Sequence, residues 1–182
     1  YIELAELVSQ HFGHLDGALL NAGVLGQRTM LENYHWDTWQ KVMQINVNAQ
    51  FLLMKHLLPL LKSAPADASV ILTTSSVGRE SRAYWGAYSV SKFATEGLMQ
   101  LLADELENTS DIRVNCINPG ATRTSMRAAA YPAENPTTVI EAEDIMPLYL
   151  HLMSPASIGT HGQSLDAQPK RDAQVKSESP SK

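Results

Sequence analysis

One segment of the chain reads Ala87-Tyr88-Ser89-Val90-Ser91-Lys92-Phe93-Ala94-Thr95-Glu96-Gly97, and it opens a predicted helix. Tyr88 and Lys92 stand four residues apart, so a helix brings the phenol and the ammonium onto the same face. A nearby cation favours the phenolate, so we expect Lys92 to lower the pKa of Tyr88 and make it a usable general acid or base. Many ordinary helices contain such a pair by chance, so the surrounding sequence has to support this interpretation.

Short apolar runs with β-branched side chains predict strands over residues 16–21, 69–74, 112–117 and 163–167. Helical patterns alternate with them over residues 1–12, 38–62, 87–107 and 145–153. Asp37 and Asp144 are the expected N-caps of two of these helices. Strands that alternate with helices indicate an α/β fold with a parallel sheet.

In such a sheet, ligands bind at the carboxyl ends of the strands. Asn21, Ser75 and the pair Pro119-Gly120 each follow a predicted strand. We therefore expect these residues to meet along one edge of the sheet, beside the start of the helix that carries Tyr88.

These elements occur in the order and at the spacing of a known family: Asn21-Ala22-Gly23, Asn46, Ser75, Tyr88 with Lys92, and Asn118-Pro119-Gly120. The chain resembles the short-chain dehydrogenase/reductase family over residues 1–167. The resemblance implies a single domain with a Rossmann-like, doubly wound parallel sheet. It also implies an NAD(P)-dependent oxidoreductase that transfers hydride between nicotinamide and a carbonyl or alcohol substrate.

By this resemblance, Tyr88 is the general acid or base and Lys92 holds the nicotinamide ribose. Ser75 hydrogen-bonds the substrate oxygen; its neighbour Ser76 is the alternative, but the thirteen-residue spacing to Tyr88 favours Ser75. Asn46 matches the asparagine whose backbone carbonyl positions a water near the lysine. Taken alone, each of these residues also has an ordinary structural explanation. Only their occurrence together favours a catalytic role.

The resemblance also implies the cofactor-binding residues: Asn21, Ala22, Gly23, Tyr88, Lys92, Pro119, Gly120, Thr122 and Thr124. The expected cofactor is NADP or NAD, and the sequence does not distinguish them. The glycine-rich motif that binds the pyrophosphate does not occur among the 182 residues. After Asp166 the family usually has two glycines, and here Ala167-Gln168-Pro169 follows. We therefore expect an N-terminally truncated member of the family, with residues 16–21 as an exposed sheet edge.

Ser75, Tyr84 and Trp85 are the expected walls of the substrate pocket, together with a long, mobile loop over residues 121–143. Four arginines flank this region: Arg79, Arg82, Arg123 and Arg127. They leave two possibilities open, an anionic substrate or ordinary exposed loop residues.

Composition excludes several other functions. A net charge of −5 argues against nucleic-acid binding, and no apolar run is long enough to cross a membrane. The six histidines lack metal-ligand spacing, so we expect no metal site. The single cysteine, Cys116, fits a reducing, cytoplasmic location. Residues 168–182 are polar and aperiodic, and we expect a disordered tail.

A second hypothesis comes from the missing glycine-rich motif. The chain could be a truncated, catalytically inactive pseudoenzyme that acts only through protein–protein association. In either case the resemblance implies a homodimer or homotetramer formed through the helices over residues 38–62 and 87–107. Binding of NADH or NADPH distinguishes the two hypotheses.

Overall fold

Four strands pair side by side in the order β1-β2-β3-β4, all parallel, within residues 1–169, the part of the chain that this computed structural model describes. The strands are β1 (Gly17–Leu20), β2 (Ala68–Thr73), β3 (Ile112–Asn118) and β4 (Ser164–Asp166). The α-helices are α1 (Ile2–Phe12), α2 (Trp36–Met43), α3 (Ala49–Lys62), α4 (Gly86–Leu106), α5 (Ser125–Ala130) and α6 (Met146–Met153). A π-helical turn, Gln44–Asn48, joins α2 to α3.

The core forms on both faces of the sheet because successive strand side chains point to opposite sides. Val70 and Leu72 of β2 pack with side chains of α3 and α4 in one buried cluster, while Ile71 packs against α6 in another. Strand β2 is buried along its whole length, which explains why its sequence carries no charge. Helices on both faces confirm the predicted Rossmann-like, doubly wound α/β fold.

Two predicted helix caps are wrong. Helix α2 begins at Trp36 after an extended His35, so Asp37 lies inside the first turn, where its charge still suits the helix dipole. Helix α6 begins at Met146 after a short 3-10 turn, and the Asp144 carboxylate instead accepts a hydrogen bond from the Glu141 backbone N–H at 3.0 Å. In both places the chain reaches the helix without a side-chain cap.

The segment over residues 121–143 is more structured than the predicted loop. It contains α5, whose N-cap Thr124 accepts a hydrogen bond from the backbone N–H of Arg127 at 3.1 Å. A β-bridge between Thr122 and Ile140 closes the segment on itself. The expectation of an irregular loop is therefore wrong for α5, whose alanines favour a helix.

Strand β1 pairs with β2 on one side, and the described residues place no strand on its other side. Leu19 of β1 is 47% exposed. At the other end of the described residues, the Gln168 side chain donates hydrogen bonds to the carbonyl oxygens of Pro119 and Ala121. The prediction of a disordered tail that starts at residue 168 is therefore wrong for Gln168. The rest of that predicted tail, residues 170–182, lies outside the described residues.

Candidate active site

A cavity of about 650 Å³ opens at the carboxyl ends of β1, β2 and β3. It brings together most of the residues singled out from the sequence: Asn21, Ala22, Gly23, Ser75, Trp85, Tyr88, Lys92, Pro119, Gly120, Thr122 and Thr124. Two of the predicted residues do not line it. Asn46 is fully buried behind the cavity, and Tyr84 is 52% exposed with a backbone φ of 71°. The prediction that Tyr84 forms a pocket wall is therefore corrected.

The Tyr88 phenol is one of the titratable groups that line the cavity. Burial raises its pKa above the ordinary value, and the Ser75 hydroxyl acts in the opposite direction. The Lys92 ammonium lies 5.5 Å from the centre of the Tyr88 ring. The expected net lowering of the Tyr88 pKa is nevertheless wrong, because burial raises it. Ser76 does not line the cavity, so the structure brings Ser75 and not Ser76 to Tyr88.

Lys92 projects from α4 towards the end of β2. Its ammonium donates a hydrogen bond to the backbone carbonyl of Thr73 at 2.7 Å, and burial lowers its pKa to about 8. The turn after β2 packs directly on this part of α4. A Cβ atom on Gly78 would lie only 2.7 Å from the Lys92 backbone. Glycine at position 78 therefore allows the strand end and the helix to come together.

Asn46 occupies the π-helical turn, and its side chain connects two parts of the site. Its Oδ1 accepts a hydrogen bond from the Val24 N–H at 2.8 Å, and its Nδ2 donates to the Val24 carbonyl at 2.9 Å. The same Nδ2 donates to the Ser91 hydroxyl at 3.0 Å. Asn46 thus fastens the segment after β1 to α4, which fits the frequent occurrence of π-turns at functional sites.

Gln168 was missed as a site residue. Its amide Nε2 donates to the carbonyl oxygens of Pro119 and Ala121, both at 2.8 Å. Between these two residues Gly120 has a φ of 73°, and a side chain there would collide with Gln168. The departure from the usual two glycines after Asp166 was the only sequence signal for this contact.

The arginines near the cavity are mostly paired with carboxylates. Arg79 contacts Glu96 at 3.3 Å and Asp166 at 2.9 Å, which ties α4 to β4. Two further pairs lie within the segment that carries α5, namely Arg123 with Glu141 at 2.5 Å and Arg127 with Glu134 at 2.6 Å. Three of the four arginines thus have a structural partner, which weakens the case for an anionic substrate.

Within residues 1–169, no helix combines the length and apolarity needed to cross a membrane. Among these residues, no group of three or more histidine, cysteine, aspartate or glutamate side chains is arranged to hold a metal ion.

Comparison with known families decides the relationship of this chain. A family model described as short chain dehydrogenase matches residues 2–135. The chain belongs to the short-chain dehydrogenase/reductase family. Among curated members, the uncharacterised oxidoreductase YciK of Escherichia coli K12 is 52% identical over 169 residues, covering 93% of this chain and 66% of YciK. A 3alpha-hydroxysteroid dehydrogenase of Mediterraneibacter gnavus is 35% identical, covering 87% of this chain and 65% of that protein. The chain therefore spans just under two thirds of the length of these relatives.

Solved structures of the family show the same fold. A short chain dehydrogenase from Pseudomonas syringae is 60% identical, with a TM-score of 0.90 over 92% of this chain and 68% of that one. A short chain dehydrogenase from Shigella flexneri complexed with NADP is 52% identical, with a TM-score of 0.88 over 92% of this chain and 69% of that one.

The residues present fit the nicotinamide end of such a cofactor. A side chain on Gly23 would lie 3.4 Å from Asn46 Oδ1 and 3.6 Å from Lys92 Nζ, so glycine keeps the space in front of the ammonium clear. Thr74 also lines the cavity, and its buried hydroxyl lacks a hydrogen-bond partner among the described residues. The family's glycine-rich motif that binds the pyrophosphate is absent from the 182-residue sequence. The residues present therefore fit only the nicotinamide and its ribose, and not the pyrophosphate.

Proposed function

We propose that this chain carries the catalytic centre of a nicotinamide-dependent oxidoreductase that interconverts a carbonyl compound and an alcohol. The observation that supports this most strongly is that Ser75 and Tyr88 line the same cavity, one helical turn from the buried ammonium of Lys92. Three groups suited to orient a carbonyl, protonate it and hold a ribose thus share one space.

In the reduction, the Ser75 hydroxyl donates a hydrogen bond to the carbonyl oxygen, and Tyr88 delivers a proton to that oxygen. A bound NADPH or NADH supplies the hydride for the carbonyl carbon, so that ketone, proton and reduced cofactor become alcohol and oxidised cofactor. In the reduction Tyr88 acts in its protonated form, and burial raises the pKa of its phenol above the ordinary value. Lys92 holds the ribose hydroxyls, and the Asn46 backbone carbonyl positions the water that returns a proton to Tyr88.

We propose NADPH as the cofactor to test first. The similar structures from Shigella flexneri and Escherichia coli CFT073, 52% and 51% identical, are complexed with NADP and NADPH. NADH is the second candidate, because a Mycobacterium tuberculosis relative named as an NAD-dependent oxidoreductase is 30% identical.

We also propose that the protein forms a homodimer or homotetramer in the cytoplasm. Helices α3 and α4 expose large apolar side chains to solvent: Phe51, Val90, Phe93 and Leu101. A second copy covering this face would remove them from water. Phe93→Glu is expected to lower the molar mass measured by light scattering, and an unchanged mass would contradict this interface.

Substitution of the proposed proton donor tests the function. Tyr88→Phe removes one oxygen atom, and kcat for NADPH-dependent ketone reduction is expected to fall by about 100-fold or more. Tyr84→Phe is the matched control, because Tyr84 is exposed and outside the cavity lining, and its kcat should not change. Equal activity in the two variants would contradict the proposed role of Tyr88.

A further inference from the structure

One wall of the cavity is aromatic and apolar, and it adjoins the phenol of Tyr88. The Trp85 ring packs against the Tyr88 ring with 5.6 Å between centroids. With Val77 they form a buried cluster, and further apolar side chains pack against it: Leu25, Met126, Ala130 and Tyr131. All members except Val77 and Tyr131 line the cavity. Apart from Tyr88, the residues expected to hold the cofactor, such as Lys92 and Gly120, are not part of this cluster.

Arg28 joins the two chain segments that build this wall. Its guanidinium lies over the Trp85 ring at 4.4 Å and over the Tyr131 ring at 5.2 Å. It also donates a hydrogen bond to the backbone carbonyl of Ala130, the last residue of α5. Arg28 follows β1, so this contact connects parts of the chain that are 102 residues apart. The stacking and the hydrogen bond together hold α5 against Trp85.

Arg127, the arginine that lines the cavity, has its charge offset by a carboxylate. Its Nε and Nη2 both donate to the Glu134 carboxylate at 2.6 Å, and its guanidinium lies 3.8 Å from the Tyr131 ring centre. A bidentate pair of this kind joins the guanidinium and the carboxylate edge to edge through two parallel N–H···O bonds. The wall therefore has an apolar surface beside a neutralised cation, which suits an uncharged group.

We propose that this wall selects an uncharged ketone or secondary alcohol that carries an aromatic or alicyclic ring next to the carbonyl carbon. We call Leu25, Trp85, Met126 and Ala130 the ring pocket. Arg28 is a positioning residue that fixes its shape. The inference rests on the proposed oxidoreductase function and names the substrate class for the same site.

Each substituent of the substrate leaves water when it enters the ring pocket. A ring beside the carbonyl buries apolar area against Trp85 and Met126. The hydroxyls of a small polar ketone would lose hydrogen bonds to water and find no partner on these side chains. In the reaction, hydride reaches the ring-bearing carbonyl carbon and the proton from Tyr88 reaches its oxygen, giving a secondary alcohol and oxidised cofactor.

Two ketones test the selection directly. We expect kcat/KM with NADPH to be at least about tenfold higher for acetophenone than for dihydroxyacetone. Trp85→Ala should lower kcat/KM for acetophenone by about tenfold or more, with a smaller effect on dihydroxyacetone. Trp36→Ala is the matched control, because Trp36 is 67% exposed and does not line the cavity, and it should change neither value.

A second variant tests the role of Arg28. Arg28→Met keeps a long side chain but removes the charge and the hydrogen bond to Ala130. KM for acetophenone should rise about fivefold, while kcat and the dissociation constant for NADPH change less than about twofold. Arg82→Met removes an exposed arginine of the neighbouring loop and should leave all three values unchanged. Loss of kcat in Arg28→Met with KM unaltered would overturn the positioning role.

The outcomes separate this inference from the function on which it rests. Preference for dihydroxyacetone, with Tyr88→Phe inactive on both ketones, would overturn the ring pocket and leave the oxidoreductase function standing. If neither ketone is reduced while NADPH binds, the function fails, and binding of acetophenone is then measured by ligand-observed NMR. Binding to Trp36→Ala but not to Trp85→Ala would support the ring pocket. Equal binding to both variants, or to neither, would overturn it.

Discussion

The ammonium of Lys92 donates a hydrogen bond to the backbone carbonyl of Thr73, with 2.7 Å between Nζ and O. Thr73 is the last residue of β2, and Lys92 lies one turn after Tyr88 on α4. The bond therefore connects the end of a central strand to the helix that carries the proposed proton donor. It also satisfies a cation that is only 2% exposed, at a site where charge is unfavourable.

Replacement of Lys92 should change how stability depends on pH. Burial lowers the pKa of Lys92 from 10.5 to about 8, so the ammonium destabilises the fold below pH 8, and this effect disappears as the pH rises towards 10.5. The effect is on the order of 3 kcal/mol, reduced by the hydrogen bond to Thr73. Lys92→Met should therefore lose the rise in the free energy of unfolding that the unsubstituted protein shows between pH 8 and pH 10. Urea unfolding at several pH values measures this, and identical pH profiles would contradict it.

Removal of the Asn46 side chain should destabilise the fold. The side chain makes three hydrogen bonds, two to the Val24 backbone and one to Ser91, and Asn46→Ala leaves buried groups without partners. The expected loss in the free energy of unfolding is about 2 to 4 kcal/mol. Asn48→Ala is the control, because Asn48 is exposed in the same turn, and it should cost less than about 0.5 kcal/mol. Equal losses in the free energy of unfolding for the two variants, measured by chemical denaturation, would show that the Asn46 hydrogen bonds do not stabilise the fold.

Two glycines of the same region should respond in opposite ways to alanine. At Gly78 a Cβ would lie 2.7 Å from the Lys92 backbone, so Gly78→Ala should destabilise the protein by about 1 to 3 kcal/mol. Gly97 lies inside α4 with open space around it, so Gly97→Ala should stabilise by about 0.5 to 1 kcal/mol. Thermal unfolding of both variants gives the comparison. A stable Gly78→Ala protein would mean that the turn after β2 does not pack on α4 as described.

Gln168 should affect the nicotinamide end of the cavity. Gln168→Glu keeps the shape but replaces the amide donor with a carboxylate that repels the carbonyls of Pro119 and Ala121. Binding of reduced nicotinamide mononucleotide, which lacks the adenosine half, should weaken by about tenfold in calorimetry. Gln163→Glu, with an exposed side chain nearby, should bind like the unsubstituted protein. If Gln168→Glu binds reduced nicotinamide mononucleotide with undiminished affinity, the turn that contains Pro119 and Ala121 does not contribute to cofactor binding.

The sequence was sufficient to predict the sheet and the place of the cavity. Uncharged runs such as Val70-Ile71-Leu72 are buried on both faces, and this pattern is specific to central strands of a parallel sheet. Residues that follow such strands must meet at one edge, so Asn21 and Ser75 were placed correctly in the cavity lining. Local pattern and topology were enough for this part of the site.

Contacts between distant segments could not be predicted in the same way. Arg28 bonds to Ala130, and Gln168 bonds to Pro119, and no periodicity in the sequence links either pair. The prediction that Tyr84 forms a pocket wall is wrong. Its backbone is left-handed, with φ of 71°, and its side chain is half exposed. The pKa of Tyr88 was predicted in the wrong direction, because its burial was not visible from the spacing to Lys92.

Transfer of label tests the central claim most directly. The protein is mixed with NADPH deuterated at C4 and with acetophenone, cyclohexanone and dihydroxyacetone, and the products are analysed by mass spectrometry. We expect one deuterium at the carbinol carbon of at least one alcohol, and no labelled alcohol with Tyr88→Phe under the same conditions. Labelled alcohol formed equally by Tyr88→Phe, or no labelled alcohol from the unsubstituted protein while it binds NADPH, would contradict hydride transfer at this cavity.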